Sequence, residues 1–355
     1  MGLIGKLGKR KRSLGVDIGS ASVKVLELSV GNGGFRVESC ALEALPPNAV
    51  VEGNISDVEG VGEALKRARA RSGCQASRAA LALGGPGVIA RTITLDASLS
   101  DTDMLKRIVD DADRYVPYPL DEVAIDVEVR GLSEQHPDQA EVLLVACRKN
   151  DIDRLGAVLD AARLEPTVVE PEGQALERVF QLLLPRLDRQ AGELVVAVAD
   201  IGATNTTLWV LVDGRAVFSR GQPFGGRELV KDIQERYSLP YKEAENAARR
   251  GDLTPDFEDS VLRPFNGETA RHLARSLRFF YSSTHYSDVD RILLIGGAAV
   301  TRGLPHALQN ALQAPASVVD PFAGMSMSTR VDAASLAADA PALALCCGLA
   351  MRSLQ

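Results

Sequence analysis

One short pattern occurs twice, about half the chain apart, and it narrows the folds open to these 355 residues. Leu14, Gly15 and Val16 read as a buried strand running into Asp17-Ile18-Gly19-Ser20, and Val23, Val25 and Leu28 return as a second strand. Residues 194–211 repeat the plan with an apolar run, Asp200-Ile201-Gly202-Ala203-Thr204, and a return strand through Trp209. Residues 35–42 predict a third strand after the first hairpin, and residues 215–220, entered through Asp213-Gly214, predict one after the second. A repeat this long is no solenoid period. It implies two similar domains facing each other, and the chain is long enough to build two cores.

The hairpins also carry chemistry. Glycine lets a backbone approach a ligand closely. Turn amides and the Ser20 and Ser22 hydroxyls can cradle phosphate oxygens, and Lys24 adds positive charge. Asp17 would repel phosphate unless a metal lies between, which points to Mg²⁺ held through water. Taken alone, the first hairpin reads equally well as an ordinary glycine turn, with Lys24 a solvated strand residue. Asp17 and Asp200 resist that reading, because both follow apolar strands, where an unpaired carboxylate is costly.

Between the hairpins, residues 58–71 have helical spacing and Gly73 fits a C-cap. Residues 78–83 form a buried strand. Residues 88–165 read as a compact insert of strand, helix, strand, strand, helix, with Ser100 as the N-cap of its first helix and a second helix from Asp151. Strand-like Val168-Val169 and a helix over 173–184 return to the main body. After the second hairpin come helices over 227–237 and 241–250, a polar loop over 251–265 and a long helix over 269–286. A strand over 291–295 then runs into Gly296-Gly297-Ala298, which reads as a strand-to-helix turn or a place for close ligand approach. A helix over 304–312, a strand over 317–319 and an Ala/Leu/Cys-rich helix over 341–351 follow. That last helix is too short to span a bilayer.

Composition excludes several classes. A formal net charge of −7 gives no broad attraction for nucleic acid. Five cysteines, odd in number and mostly in apolar runs, read as reduced thiols of a cytoplasmic protein. The four histidines are scattered, with no zinc-ligand spacing. The first residues lack the apolar core of a signal peptide, and Lys6 sits where a myristoylation motif wants Ser or Thr. Lys6, Lys9, Arg10, Lys11 and Arg12 form a local basic run, read either as a solvated terminus or as a contact with anionic lipid at roughly 1 kcal/mol per residue.

Asp17-Ile-Gly-Ser, Asp200-Ile-Gly-Ala-Thr and Gly296-Gly297, in this order and strand context, resemble the phosphate-1, phosphate-2 and adenosine motifs of the actin, sugar-kinase and heat-shock chaperone ATPase superfamily. Neither a Walker-type loop nor Gly-x-Gly-x-x-Gly is present, so P-loop and Rossmann readings lose support. The insert resembles the relocated subdomain of the FtsA branch. Tyr115-Val-Pro-Tyr-Pro-Leu-Asp-Glu-Val, Glu141-Val-Leu-Leu-Val-Ala-Cys-Arg-Lys, Val318-Val-Asp-Pro-Phe-Ala-Gly-Met and Ala340-Pro-Ala-Leu-Ala-Leu-Cys-Cys-Gly-Leu-Ala-Met-Arg-Ser resemble the PilM family of type IV pilus assembly, over nearly the whole chain.

The resemblance implies an α/β, actin-like duplicated two-domain fold with an FtsA-type inserted α+β subdomain. The expected division is a basic tail over 1–12, a first core domain over 13–87 and 166–190, and the insert over 88–165. A second core domain over 191–225 and 266–355 follows, with a small helical subdomain over 226–265 near the adenine. ATP and Mg²⁺ are the implied cofactors. Asp17, Gly19, Ser20, Ser22 and Lys24 match phosphate-1, while Asp200, Gly202, Ala203, Thr204 and Asn205 match phosphate-2. Gly296, Gly297 and Ala298 match the adenosine motif, and Asp17 and Asp200 would hold Mg²⁺ through water. Glu245 fits the helix that borders adenine, although Ala248 stands where relatives commonly have Lys, with Arg249 next. Glu170, then Glu172, are candidates for positioning the attacking water, against a capping or surface role.

The implied function is a cytoplasmic scaffold at the bacterial inner membrane, with weak or regulatory ATP hydrolysis. It would bind the N-terminal cytoplasmic segment of a PilN-like membrane protein in a groove between core and insert. It would act indirectly on PilO and the pilus motor ATPases, with self-association as a further expectation, and would serve twitching motility. An FtsA-like division protein is one alternative, weakened because the chain ends at Arg352-Ser-Leu-Gln without an amphipathic anchor. A small-molecule kinase is another, without a recognisable substrate signature.

Overall fold

The computed structural model describes residues 12–352, apart from 32–33, 86, 134–135 and 188–191, together with Leu354. The basic run before Arg12 lies outside the described residues. Strands β1 (Arg12–Ile18), β2 (Ser22–Gly31) and β3 (Gly34–Ala44) form an antiparallel meander. A short hairpin of β4 (Val50–Val51) and β5 (Asn54–Ile55) leads to α1 (Val58–Ser72) and β6 (Arg78–Leu83). Asp57 caps the helix start by accepting from the Gly60 amide, and Gly73 ends it in a left-handed conformation.

The insert begins with β7 (Ile89–Asp96), α2 (Asp101–Asp110), β8 (Val123–Leu132) and β9 (Gln139–Arg148). Its sheet order is β7-β9-β8, and α2 covers one face through Met104 and Ile108 against Val142 and Leu144. Ser100 caps α2 by accepting from the Asp103 amide. The next helix, α3 (Lys149–Ala161), is not part of the insert. Its apolar stripe, Leu155, Val158 and Leu159, packs on Val61 and Leu65 of α1. The inserted unit therefore ends near Arg148 rather than at 165: α3 has no apolar surface to bury against the small sheet, which α2 already covers.

β10 (Glu165–Pro171) returns to the first sheet, and α4 (Glu172–Leu183) leaves it for the second domain. β11 (Val195–Ile201), β12 (Thr206–Val212) and β13 (Arg215–Gln222) repeat the meander. Helices α5 (Gly226–Tyr237) and α6 (Tyr241–Arg250) then share a separate small core with Phe257, Val261, Leu262 and Phe265. The stretch expected to be a polar loop contains a π-helical turn at Glu258–Leu262 that buries Val261 and Leu262. It runs straight into α7 (Arg263–Ser283), whose Pro264 is tolerated in the first turn. β14 (Arg291–Ile295), α8 (Leu304–Leu312) and β15 (Ala316–Val318) complete the second sheet.

The duplication is visible in the pairing. The first sheet runs β10-β6-β1-β2-β3-β16 and the second β13-β12-β11-β14-β15, so the two share one order read from opposite ends. β16 (Ser326–Met327) is an added edge strand beside β3. It is followed by α9 (Ala333–Asp339) and α10 (Ala344–Arg352).

Sequence alternation decides the layers. On the first sheet, Leu14, Val16, Val23 and Val25 face α1 and α3, while Leu26, Leu28 and Val37 face α4 and α10. On the second, Val195, Ala197 and Ala199 face α7 and α8, while Val196 and Val198 face α4 and α10. Strands buried on both faces read as continuous apolar runs. The two sheets thus share one central helical layer, and α10 lies against β1 and β2. The last residues belong with the first domain, not with the second as expected. Each fully buried Leu in that layer contributes about 1.5–3 kcal/mol. The helical run Ala333–Arg352 is apolar and long enough to cross a membrane by length and composition, and most of it is buried in this layer. Gly348 permits the crossing of α10 over α4, since a Cβ there would stand 2.0 Å from the Ala175 carbonyl oxygen.

Candidate functional site

Both hairpin tips open into a single cavity of about 1880 Å³ between the domains. The first tip is closed by the Gly19 amide donating to the Ser22 carbonyl at 3.0 Å, and the second by the Gly202 amide donating to the Asn205 carbonyl at 2.9 Å. Register makes the jaws unequal. Asp17 is paired across the ladder with Lys24, whereas Asp200 faces Thr207. The Lys24 ammonium donates to Asp17 Oδ2 at 2.7 Å, with both side chains largely enclosed.

Two further carboxylates of the cavity, Asp200 and Glu172, act electrostatically on this pair. Burial pushes Asp200 up to about 6, Lys24 opposing and Asp17 adding to the shift. Burial also pushes Glu172 up to about 8, reinforced by Asp200 and Asp17 and opposed by Lys24. Burial alone would lower the Lys24 ammonium, but the charge and hydrogen bond of Asp17, with a contribution from Asp200, raise it. Lys24 thus stands among Asp17, Asp200 and Glu172 where the two hairpins meet the start of α4. Among the described residues, no group of three His, Cys, Asp or Glu side chains is placed to hold a metal ion directly.

The glycine turn of the second domain completes the wall. Gly296 has φ +91, and a Cβ on it would stand 2.5 Å from Asp200 Oδ1 and from the Ile201 carbonyl oxygen. Only glycine fits against the second hairpin in that conformation. The Ala298 amide donates to the Ile201 carbonyl at 3.0 Å, tying the turn to β11. The start of α5 packs on the tip: the Gly226 and Arg227 amides donate to the Gly202 and Ala203 carbonyls.

Asp17, Gly19, Ser20, Ser22, Lys24, Asp200, Gly202, Ala203, Thr204, Asn205, Glu245, Gly296, Gly297, Ala298 and Glu172 all line this cavity. Glu170 does not. It is 3% exposed, on the other side of β10, and engages Arg178 of α4 and Arg352 of α10. Side chains two residues apart on a strand share a face, but the strand gives way to α4 at Glu172, so the two glutamates part. Sequence reasoning passed over Tyr241, which shares the cavity with Glu245 and Ala248 on one face of α6. The i, i+4, i+7 spacing is the signal that could have found it. Arg249, next to Ala248, lines the same wall and reaches Asp339 at 3.3 Å. Trp209, the one tryptophan of the chain, also lines the cavity.

Comparisons with known proteins agree with this architecture. The family model for the type IV pilus assembly protein PilM matches residues 15–354. A solved structure described as a PilM-PilN type IV pilus biogenesis complex is similar at 26% identity and a TM-score of 0.81, covering 98% of this chain and 99% of that one. The ethanolamine utilization protein EutJ from Carboxydothermus hydrogenoformans is similar at 17% identity and a TM-score of 0.60, covering 96% of this chain and 89% of that one. MreB5 of Spiroplasma citri, solved bound to ADP, is similar at 13% identity and a TM-score of 0.51, covering 95% of this chain and 94% of that one. The last two show the shared actin-like fold.

Proposed function

The chain belongs to the PilM family of type IV pilus assembly proteins, and from that premise we propose that it is a nucleotide-responsive scaffold engaging a PilN-type partner. The observation that carries the nucleotide reading is the pair of hairpins, one bearing Asp17 and Lys24 and the other Asp200, on opposite sides of one cavity with Gly296 beside them. Lys24 and the hairpin backbones would bind phosphate oxygens, Gly296 and Gly297 would let adenosine approach, and Tyr241 and Glu245 would border the base.

The donor set fits ATP with Mg²⁺. A polyphosphate beside Asp17 and Asp200 needs a divalent cation to offset repulsion, while burial, which raises both Asp200 and Glu172, keeps Glu172 largely protonated at neutral pH. Bound Mg²⁺ would supply that charge through water, with Asp17 and Asp200 as its outer partners. Glu172, which lines the cavity, would be the group that orients a water; Glu170 is committed to its arginines.

The similar PilM-PilN complex supports the partner reading. The cavity extends from the nucleotide site to the insert, where it is lined by Thr92, Thr94 and Leu143 on one side and by Val217 and Ser219 of β13 on the other. An extended peptide suits such a seam. Held by this partner, the protein would sit at the cytoplasmic face of the inner membrane and act through PilO and the motor ATPases on pilus assembly and twitching. The family match does not favour a division protein or a small-molecule kinase. Calorimetric titration with a peptide from the N-terminus of a PilN-type protein, without lipid, tests the reading. Saturable binding is expected, and no binding to folded protein would refute the partner claim.

A further inference from the structure

We propose that Glu177 is the positioning residue through which the inserted subdomain follows the opening and closing of the nucleotide cleft. The proposal rests on the nucleotide reading above and gives it an output. α4 starts in the cleft, with Glu172 and Gly173 on its wall, and carries the chain from the first domain to the second. One turn further along, Glu177 meets two other bodies at once. Its Oε1 accepts from the Ala216 amide of edge strand β13 at 2.9 Å. Arg130 of the insert donates to Oε1 and Oε2 at 3.2 and 3.0 Å.

The neighbouring contacts make this a seat rather than a chance pair. Gln174 donates to Glu128 Oε2 at 2.9 Å. Glu128 lies on β8 and Arg130 is the extra residue of a bulge in it between Val129 and Gly131, so the pair reaches α4 through that irregularity, while Gln174 and Glu177 lie three apart on α4, hence on one face. Two points of attachment fix the angle of β8 along the helix. On the second domain's side, a Cβ at Gly173 would stand 3.0 Å from the Trp209 ring, so α4 also rests on β12 beside the cleft. The Arg130 and Glu177 side chains are 17% and 19% exposed. The ion pair of Arg215 on β13 with Glu141 of the insert is 58% and 28% exposed and correspondingly screened.

If the second domain turns toward the first around a bound nucleotide, β13 moves against α4. Glu177 then follows the Ala216 amide, its hold on Arg130 changes, and the insert is re-seated. A coupling of this kind needs one element that both sites bias, and this carboxylate is shared by both.

Hydrogen–deuterium exchange of the full chain, with and without Mg-AMPPNP, tests the proposal, with nucleotide affinity followed by Trp209 fluorescence. In the wild type, nucleotide should change exchange at least threefold both in the cleft, over 200–207, and in β8, over 123–132. Arg130→Gln should bind nucleotide within twofold of the wild type and keep the cleft response, yet lose the β8 response. Glu177→Gln, which retains an acceptor for the Ala216 amide, is the second variant and should behave alike. A full β8 response in a folded variant would overturn the proposal. So would a wild type that binds nucleotide with β8 unmoved. A wild type whose cleft itself is silent would remove the nucleotide reading, and the relay with it.

Discussion

Asp17 and Lys24 stand opposite each other in the β1–β2 ladder and are joined at 2.7 Å, so the ammonium at the first hairpin is already held by an anion that any ligand must compete with. The second hairpin has Thr207 in the corresponding place, so the two hairpins differ: the first carries an ion pair across its ladder and the second a carboxylate facing a hydroxyl.

Removing Lys24 should therefore cost more than one phosphate contact. Lys24→Ala leaves Asp17, Asp200 and Glu172 facing one another. Mg-ATP affinity should fall at least about tenfold, or ~1.4 kcal/mol, with circular dichroism unchanged. Asp17→Ala should weaken binding in the same direction. Calorimetry giving wild-type affinity in both variants would remove the site assignment.

Glu170 and Glu172 should separate cleanly. Glu170→Gln breaks a buried link to Arg178 and Arg352 and should destabilise the fold by about 3 kcal/mol, while nucleotide affinity stays within twofold. Glu172→Gln should leave melting intact or improved at neutral pH and slow any hydrolysis at least tenfold. Denaturant melts beside phosphate-release assays distinguish the two.

The pH dependence follows from the raised carboxyls. Glu172, pushed to about 8, holds a proton in the folded protein where the unfolded chain has released it. The unfolded state therefore binds fewer protons, and stability falls as pH rises from about 4.5 to 8, by at most about 1.4 kcal/mol per unit for one group. Asp200 adds the same sign from its ordinary range up to about 6. Between pH 6 and 8 the nucleotide-free Glu172→Gln variant should lose less stability than the wild type. Equal slopes in that window would contradict the placement of Glu172.

Gly296→Ala should be damaging twice over. The new Cβ meets Asp200 and the Ile201 carbonyl and occupies a left-handed conformation. A loss of at least about 2 kcal/mol is expected, together with weaker nucleotide binding. Gly297→Ala, whose Cβ would enter open space, is the matched control and should retain the wild-type melting temperature.

Much of this was legible in the chain. The two hairpins, the buried strands and the Ser100 cap are local, and their residues state their own geometry. The layer order was not. α3 reads as part of the insert because it follows β9 directly, yet Leu155 and Leu159 find their partners on α1. The helix ending at Arg352 reads as the tail of the second domain, yet it covers β1. The role of Glu170 was hidden for the same reason, since its arginines lie on two different helices. Periodicity tells which face of an element is apolar, not which distant element will cover it.

That placement of the final helix has a consequence for biosynthesis. The Cys346 thiol donates to the Gly15 carbonyl across 331 residues of sequence, so the cover that α10 gives β1 arrives long after the strand has been made. Contacts so remote close slowly. Until α10 docks, the faces of β1 and β2 that it covers lack that layer, so closing the first sheet is a long-range step in folding.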